Sequence, residues 1–166
     1  MAIPNFRTFM LPLLRLSSDE KIHSLQEATK SLASEFKLTE AEMAEILPSG
    51  RSTTYYNRVA WAATYLRKAG LLNSTGRGLF QITKRGLDVL KNPPERFDDD
   101  FLEQFDEFVE FRTRRDREDN EMPIAEKLEI QTPEEAIDAA YQNLRQTLAD
   151  EVLQTVKGCS PAFFER

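Results

Sequence analysis

Cysteine and histidine are nearly missing from this chain of 166 residues, in which Cys159 and His23 each stand alone. One cysteine excludes an internal disulfide framework and a cysteine-based zinc site. One histidine excludes a multi-histidine metal centre and argues against a Cys-His nucleophile pair. Long apolar runs are missing too: no stretch approaches the ~18 residues of a spanning helix. The apolar patch Met10-Leu11-Pro12-Leu13-Leu14 lies between Arg7 and Arg15, and no small-residue cleavage site follows, so no export leader is expected. These absences fit a reducing cytoplasm. There is no P-loop and no GxGxxG, and Gly76-Arg77-Gly78 alone is uninformative. What remains is a globular composition, 40% apolar and 30% charged, enough for one domain or a small domain with an appendage.

The overall charge of −6 conceals a strong asymmetry. Residues 1–97 hold 14 Lys and Arg against 9 Asp and Glu, net +5; residues 98–166 hold 8 against 19, net −11. Within the first part, residues 51–96 carry 9 basic and 2 acidic side chains, net +7. A basic stretch beside an acidic one points to a polyanion-binding unit joined to something else, or more plainly to a solvated face.

Apolar spacing predicts an amphipathic helix over 4–16, interrupted in principle by Pro4 and Pro12, and broken by Ser17-Ser18-Asp19. A short extended piece at 21–23 leads to Ser24, which with Glu27 forms the capping-box pattern for a helix over 25–36. Thr39 with Glu42 starts a second such helix, 40–47, expected to bury Met43, Ile46 and Leu47 and to stop at Pro48-Ser49-Gly50. A longer helix, 52–69, ends at Gly70. Strands at 71–72 and 79–83 flank a polar, glycine-bearing turn at 73–78, a β-hairpin with a basic tip. Thr83 caps a last helix, 84–91, before Asn92-Pro93-Pro94. This order is that of a winged helix, a helix-turn-helix variant whose hairpin forms the wing. The fold class expected is mainly α with a small β-hairpin.

The second half reads differently. Phe101, Phe105, Phe108 and Phe111, with Leu102 and Val109, make an aromatic stripe at helical spacing that Phe97 extends, with core packing as its ordinary role. Residues 112–122 are almost wholly charged and read as a loop. Thr132-Pro133-Glu134-Glu135 opens a helix over 133–157: N-cap threonine, proline at the first position, acids in the first turn. Its seam is Ile137, Tyr141, Leu144, Leu148, Val152 and Val156, which packs on the domain or on a second copy. The seam's spacing is closer to 3.6 than to a strict heptad, so at most a weak homodimer through 133–157 is expected. Ser160-Pro161 starts a further helix that runs into the last residue, and the chain reads as cut there.

In helix-turn-helix proteins the second helix of the pair enters the major groove. On helix 52–69, Val59, Ala62, Ala63 and Leu66 form the core face, with Tyr55 and Tyr56 beside it. Thr54, Asn57, Trp61, Thr64 and Lys68 lie opposite, with Arg58 at the edge, and are expected to be exposed. Asn and Arg can each bond a base edge in two places, and Thr reaches phosphate or the thymine methyl. Arg51 and Ser52 sit where helix N–H groups attract phosphate. Trp61 either contacts a base or docks on a neighbouring helix. Arg77 at the wing tip reaches phosphate or the minor groove, and Lys84 and Arg85 hold phosphate or are merely solvated. No catalytic or metal-binding constellation is apparent. His23 reads as structural, and Asp98-Asp99-Asp100 as a helix cap.

Several blocks carry a family resemblance. They are Met10-Leu11-Pro12-Leu13-Leu14, Leu47-Pro48-Ser49-Gly50-Arg51, Asn57-Arg58-Val59-Ala60-Trp61-Ala62, the run from Tyr65 to Leu72, and the run from Ile82 to Leu90. In this order they resemble the N-terminal domain of Mrr-type restriction endonucleases. Phe108-Val109-Glu110-Phe111-Arg112 and Thr132-Pro133-Glu134-Glu135-Ala136 resemble that family's linker, and Ser160 to Glu165 the start of its catalytic domain. The resemblance implies a winged-helix DNA-binding domain over 1–97, an acidic helical linker over 98–158, and a stub of the nuclease domain over 159–166. It further implies a modification-dependent (type IV) endodeoxyribonuclease acting on methylated double-stranded DNA. Its nuclease core would use an Asp, a Glu or Gln, and a Lys with Mg²⁺, a set this chain does not contain, so no cleavage by these residues is expected. The alternatives are a free-standing winged-helix transcriptional regulator and a winged-helix protein-interaction scaffold.

Overall fold

The structure is a computed structural model that describes residues 3–118 and 131–158. The sequence expectations at 119–122 and at 159–166 lie outside the described residues.

The first helical segment is two helices in series. Asn5 Oδ1 accepts from the Arg7 and Thr8 N–H groups and caps a 3-10 turn, Phe6–Phe9, which passes directly into α1 (Met10–Leu16). Pro12 explains the change. In a continuous α-helix its ring would collide with the carbonyl four residues back, whereas in the first turn of α1 its missing N–H costs nothing. A second 3-10 turn, Ser17–Asp19, leads to β1 (His23–Ser24). Ser24 then caps α2 (Leu25–Glu35), its Oγ accepting from Glu27 N–H at 3.1 Å.

The Thr39–Glu42 box is complete at the start of α3 (Glu40–Ala44): Thr39 N–H donates to Glu42 Oε2 at 2.9 Å, and Glu42 N–H to Thr39 Oγ1 at 3.3 Å. This helix is shorter than its apolar residues implied. The chain leaves it at Glu45 to form a bridge between Ile46 and Thr53, which turns Ile46 out to solvent and buries Leu47. Thr53 caps α4 (Thr54–Lys68), which begins two residues later than expected. Gly70 follows in the left-handed conformation at φ +72°, with Arg85 filling the space a side chain would need.

The hairpin consists of β2 (Leu72–Gly76) and β3 (Leu79–Ile82), in a sheet of order β1-β3-β2, all antiparallel. Leu72 faces Ile82 across the ladder, with a register shift between Ser74 and Gly76. Most of the expected turn is strand, leaving Arg77 and Gly78 between β2 and β3. The tip is also tied down, because Leu25 N–H donates to Gly78 O at 2.8 Å. α5 (Lys84–Lys91) starts at the Thr83 cap and packs so closely that a Cβ on Gly86 would lie 2.4 Å from Leu71 O.

The aromatic stripe is core, but on two helices, α6 (Asp99–Leu102) and α7 (Asp106–Glu118). The turn between them lets Leu102 and Phe108 both reach full burial among residues of the winged helix. Residues 112–118, expected as loop, continue α7; the Arg and Glu that make them polar are also good helix formers. Asp98 caps α6, and Asp99 receives a two-point ion pair from Arg7 at 2.7–2.8 Å. The last helix, α8 (Pro133–Gly158), has nearly its expected span.

One core joins these elements. Phe6, Phe9, Met10, Leu13 and Leu14 meet Leu32, Val59, Ala62 and Leu66 at zero or near-zero exposure. Rings connect the two halves of the chain: Phe9 lies 5.5 Å from Tyr55, Phe6 5.0 Å from Tyr65, and Tyr65 5.4 Å from Phe108. Each such buried side chain contributes roughly 1.5–3 kcal/mol of apolar transfer. The mainly helical architecture with a small sheet, a winged helix followed by acidic helices, is therefore the one the sequence implied. Among the described residues no helix is long and apolar enough to cross a membrane.

Candidate nucleic-acid interface

Helix α4 is fixed on one side by its core face. Val59, Ala62 and Leu66 are fully buried, and Tyr55 sends its hydroxyl to Thr29 O at 2.7 Å. That burial raises the Tyr55 phenol above its ordinary pKa.

The opposite side departs from expectation. Asn57, expected to be exposed, is 7% exposed, and its Oδ1 accepts from Thr132 Oγ1 at 2.6 Å. Thr54 is buried as well. Arg58 donates through Nε to Glu135 Oε1 at 2.7 Å, and through its terminal nitrogen to Ile3 O at 2.5 Å and Pro4 O at 3.1 Å. Trp61 donates its indole N–H to the Glu134 carboxylate and lies 6.1 Å from the Tyr65 ring, so the docked alternative holds for it. The cause is shared: the amino-terminal turn of α8 packs on the first half of α4, and α7 on the second.

Half-buried Thr64 turns its hydroxyl back to Ala60 O at 2.9 Å. Ser52 is also half-buried, its Oγ bonded to Thr53 O at 3.2 Å. Arg85 is occupied too. It donates to Ala69 O and Glu107 at 3.0 Å each and lies over the Phe105 ring at 5.2 Å. This hydrogen bond from Arg85 holds the Glu107 carboxyl below its ordinary pKa.

Arg51, Lys68, Arg77 and Lys84 are exposed. Lys68 lies over the Phe111 ring at 5.2 Å, which leaves its ammonium at the surface. Two residues missed by the sequence reading join them. Tyr56 and Arg67 are exposed on the strip of α4 left uncovered by α7 and α8. Arg67 is turned outward because Tyr65, two positions before it on α4, meets Phe108 and Phe111 of α7. Thr83 Oγ1 bonds to Gly70 O at 2.7 Å, so Lys84 follows a residue tied to the carboxyl end of α4. The basic side chains thus fall on the loop before α4, the uncovered strip of α4, the wing tip and the first turn of α5.

His23 has a structural place. Its Nε2 is 2.7 Å from Asp19 Oδ1, which ties the second 3-10 turn to β1, and this contact lowers the Asp19 pKa. Among the described residues, no three His, Cys, Asp or Glu side chains converge as a metal site.

Comparison with known proteins agrees with the architecture. The family model described as the Mrr N-terminal domain matches residues 6–92. The chain is also similar to the type IV methyl-directed restriction enzyme EcoKMrr of Escherichia coli (strain K12), 29% identical over 173 residues, covering 99% of this chain and 57% of that protein. The chain therefore spans little more than half the length of this curated relative. No solved structure matches it.

Proposed function

Because the chain belongs to the Mrr N-terminal domain family, we propose that it binds double-stranded DNA as the targeting module of a restriction enzyme directed at methylated DNA. The observation that carries this reading is the exposure of Arg51, Arg67, Lys68, Arg77 and Lys84, five of the nine basic side chains of residues 51–96, on the four segments by which a winged helix meets a duplex. Arg67, Lys68, Arg77, Lys84 and Arg51 neutralise phosphates, and Tyr56 and Thr64 face the groove. In this reading residues 1–97 form the DNA-binding domain and 98–158 an acidic helical linker. Cleavage, with its Mg²⁺, is assigned to a nuclease core that these residues do not supply. Action on cellular DNA places the protein in the cytoplasm. α8 serves mainly as a spacer, with weak self-association at most.

The test is a fluorescence-anisotropy titration of a labelled 25-base-pair duplex across a range of salt. The affinity is expected to fall steeply with salt. Arg67→Ala, Arg77→Ala and Lys84→Ala are each expected to lower the log–log slope by about 0.9, alike on all sequences. A flat salt response with no effect from any of the three would favour a protein-interaction scaffold instead. Comparison of methylated with unmethylated duplex then tests the finer part of the reading.

A further inference from the structure

Asn57 carries the main clue. At 100° per residue it lies about 160° around α4 from Val59, at the centre of the core face. A residue pointing so directly away from the core belongs in solvent, yet Asn57 is buried. What buries it is the amino-terminal turn of α8, which is held on α4 by hydrogen bonds and an ion pair and which buries Ala136 as well. Thr132 bonds to Asn57, Glu135 to Arg58 and Glu134 to Trp61, while Asp138 accepts from the Ser49 N–H at 3.2 Å in the loop before α4. Two carboxylates therefore lie against the half of α4 that a helix-turn-helix protein inserts into the major groove, and a third against the loop before it.

Beyond this turn α8 stands clear. Ile137, Tyr141, Leu144, Leu148, Val152 and Val156 are exposed, and Glu135 and Ala136 are its only buried residues among those described. The docking is small and largely hydrophilic, made mostly of groups whose hydrogen bonds water or another polar ligand can replace. DNA offers the same kinds of partner: an amide and a guanidinium pair with base edges, and an indole can stack.

We propose that the turn Thr132–Asp138 is an acidic latch that competes with duplex DNA for the first half of α4. Docked, it occupies Asn57, Arg58 and Trp61 and sets like charge against the approaching phosphates. Undocked, it frees Asn57 and Trp61 for the groove, while Arg58, still held by Ile3 O and Pro4 O, gives up only its Glu135 partner. The affinity for DNA is then scaled by the fraction of molecules with the latch open. The inference rests on the DNA-binding reading above and adds regulation to that same site.

The experiment is the same duplex titration with the full chain. Glu134→Gln combined with Asp138→Asn weakens the latch while leaving the Thr132–Glu135 cap of α8 in place. This pair is expected to tighten DNA binding about tenfold. Asp150→Asn combined with Glu151→Gln removes equal charge farther along α8 and is expected to change affinity little. In a Cys159→Ser background, Asn57→Cys with Thr132→Cys allows the latch to be closed by oxidation. The oxidised protein is expected to lose affinity and to recover it on reduction. Unchanged affinity in the latch variant, or equal binding by the oxidised and reduced forms, overturns the latch. If Arg77→Ala and Lys84→Ala weaken binding at the same time, only the latch fails. If no form binds duplex, the DNA-binding reading fails with it.

Discussion

Glu135 fastens Arg58 to the start of a helix 77 residues away: one carboxylate oxygen accepts from Arg58 Nε at 2.7 Å, the other from the Thr132 N–H at 2.8 Å. The same side chain thus completes a capping box and an interhelix ion pair. Both partners are largely shielded, with side-chain exposures of 18% and 9%, so the pair is screened less than a surface one.

Glu135→Ala removes the cap and the ion pair together. The first turn of α8 is expected to leave α4, while the winged helix stays folded, because Arg58 keeps its bonds to Ile3 O and Pro4 O. Trp61 is the sole tryptophan and touches the same turn, so its emission reports the change. A red shift with an unaltered main unfolding transition is the expected result. Unchanged emission would show that docking does not depend on this carboxylate.

Gly86→Ala tests how tightly α5 is set on the sheet. A methyl group would lie 2.4 Å from Leu71 O and 2.7 Å from an Ile82 side-chain carbon, and neither can retreat without moving backbone or core. A loss of about 1–3 kcal/mol is expected in thermal or urea unfolding. Gly158→Ala, with nothing within 4 Å, is the control and is expected to be neutral.

Tyr55 predicts an alkaline limit to stability. Its folded-state pKa lies above the ordinary value of about 10, with burial as the cause. A raised pKa contributes stability in full below the unfolded value and loses it as pH climbs toward the folded one. Stability measured by urea unfolding is therefore expected to fall as pH rises above about 10. Tyr55→Phe is expected to be less stable at neutral pH by about 1 kcal/mol, through the lost bond to Thr29 O, and to show a shallower alkaline decline. An equal decline in both proteins would assign the effect elsewhere.

The seam of α8 predicts weak self-association. Six apolar side chains between 38% and 67% exposed form an attractive surface, but their spacing fits a straight helix better than a two-stranded supercoil. Sedimentation at micromolar concentration is expected to show monomer, with association appearing only as concentration rises. Leu144→Asp with Leu148→Asp should abolish that association. A tight dimer would favour the regulator reading.

The parts of the fold legible in the sequence are those decided within a few residues. The Thr39–Glu42 box, the Thr83 cap, Gly70 at the end of α4 and the proline-led start of α8 are local hydrogen-bond patterns, and each forms where its residues stand. What was not legible depends on distant partners. Ile46 has the spacing of a buried helix residue but is turned out by its bridge to Thr53. Asn57 and Arg58 have the spacing of a reading face but are taken up by Thr132 and Glu135. Arg67 was overlooked for the complementary reason, since the surface left uncovered is known only once the covering helices are placed.

The 26 residues of α8 form a rod roughly 39 Å long that, among the described residues, is held by its first turns. Such a rod is a lever with its pivot at Thr132. A tilt of about 20° at the pivot would sweep Gly158 through roughly 13 Å. A rearrangement of one or two hydrogen bonds at Asn57 is thus geared into a displacement the width of a helix at the far end. A change at the face of α4 that holds the start of α8 would be read out as a displacement of Gly158.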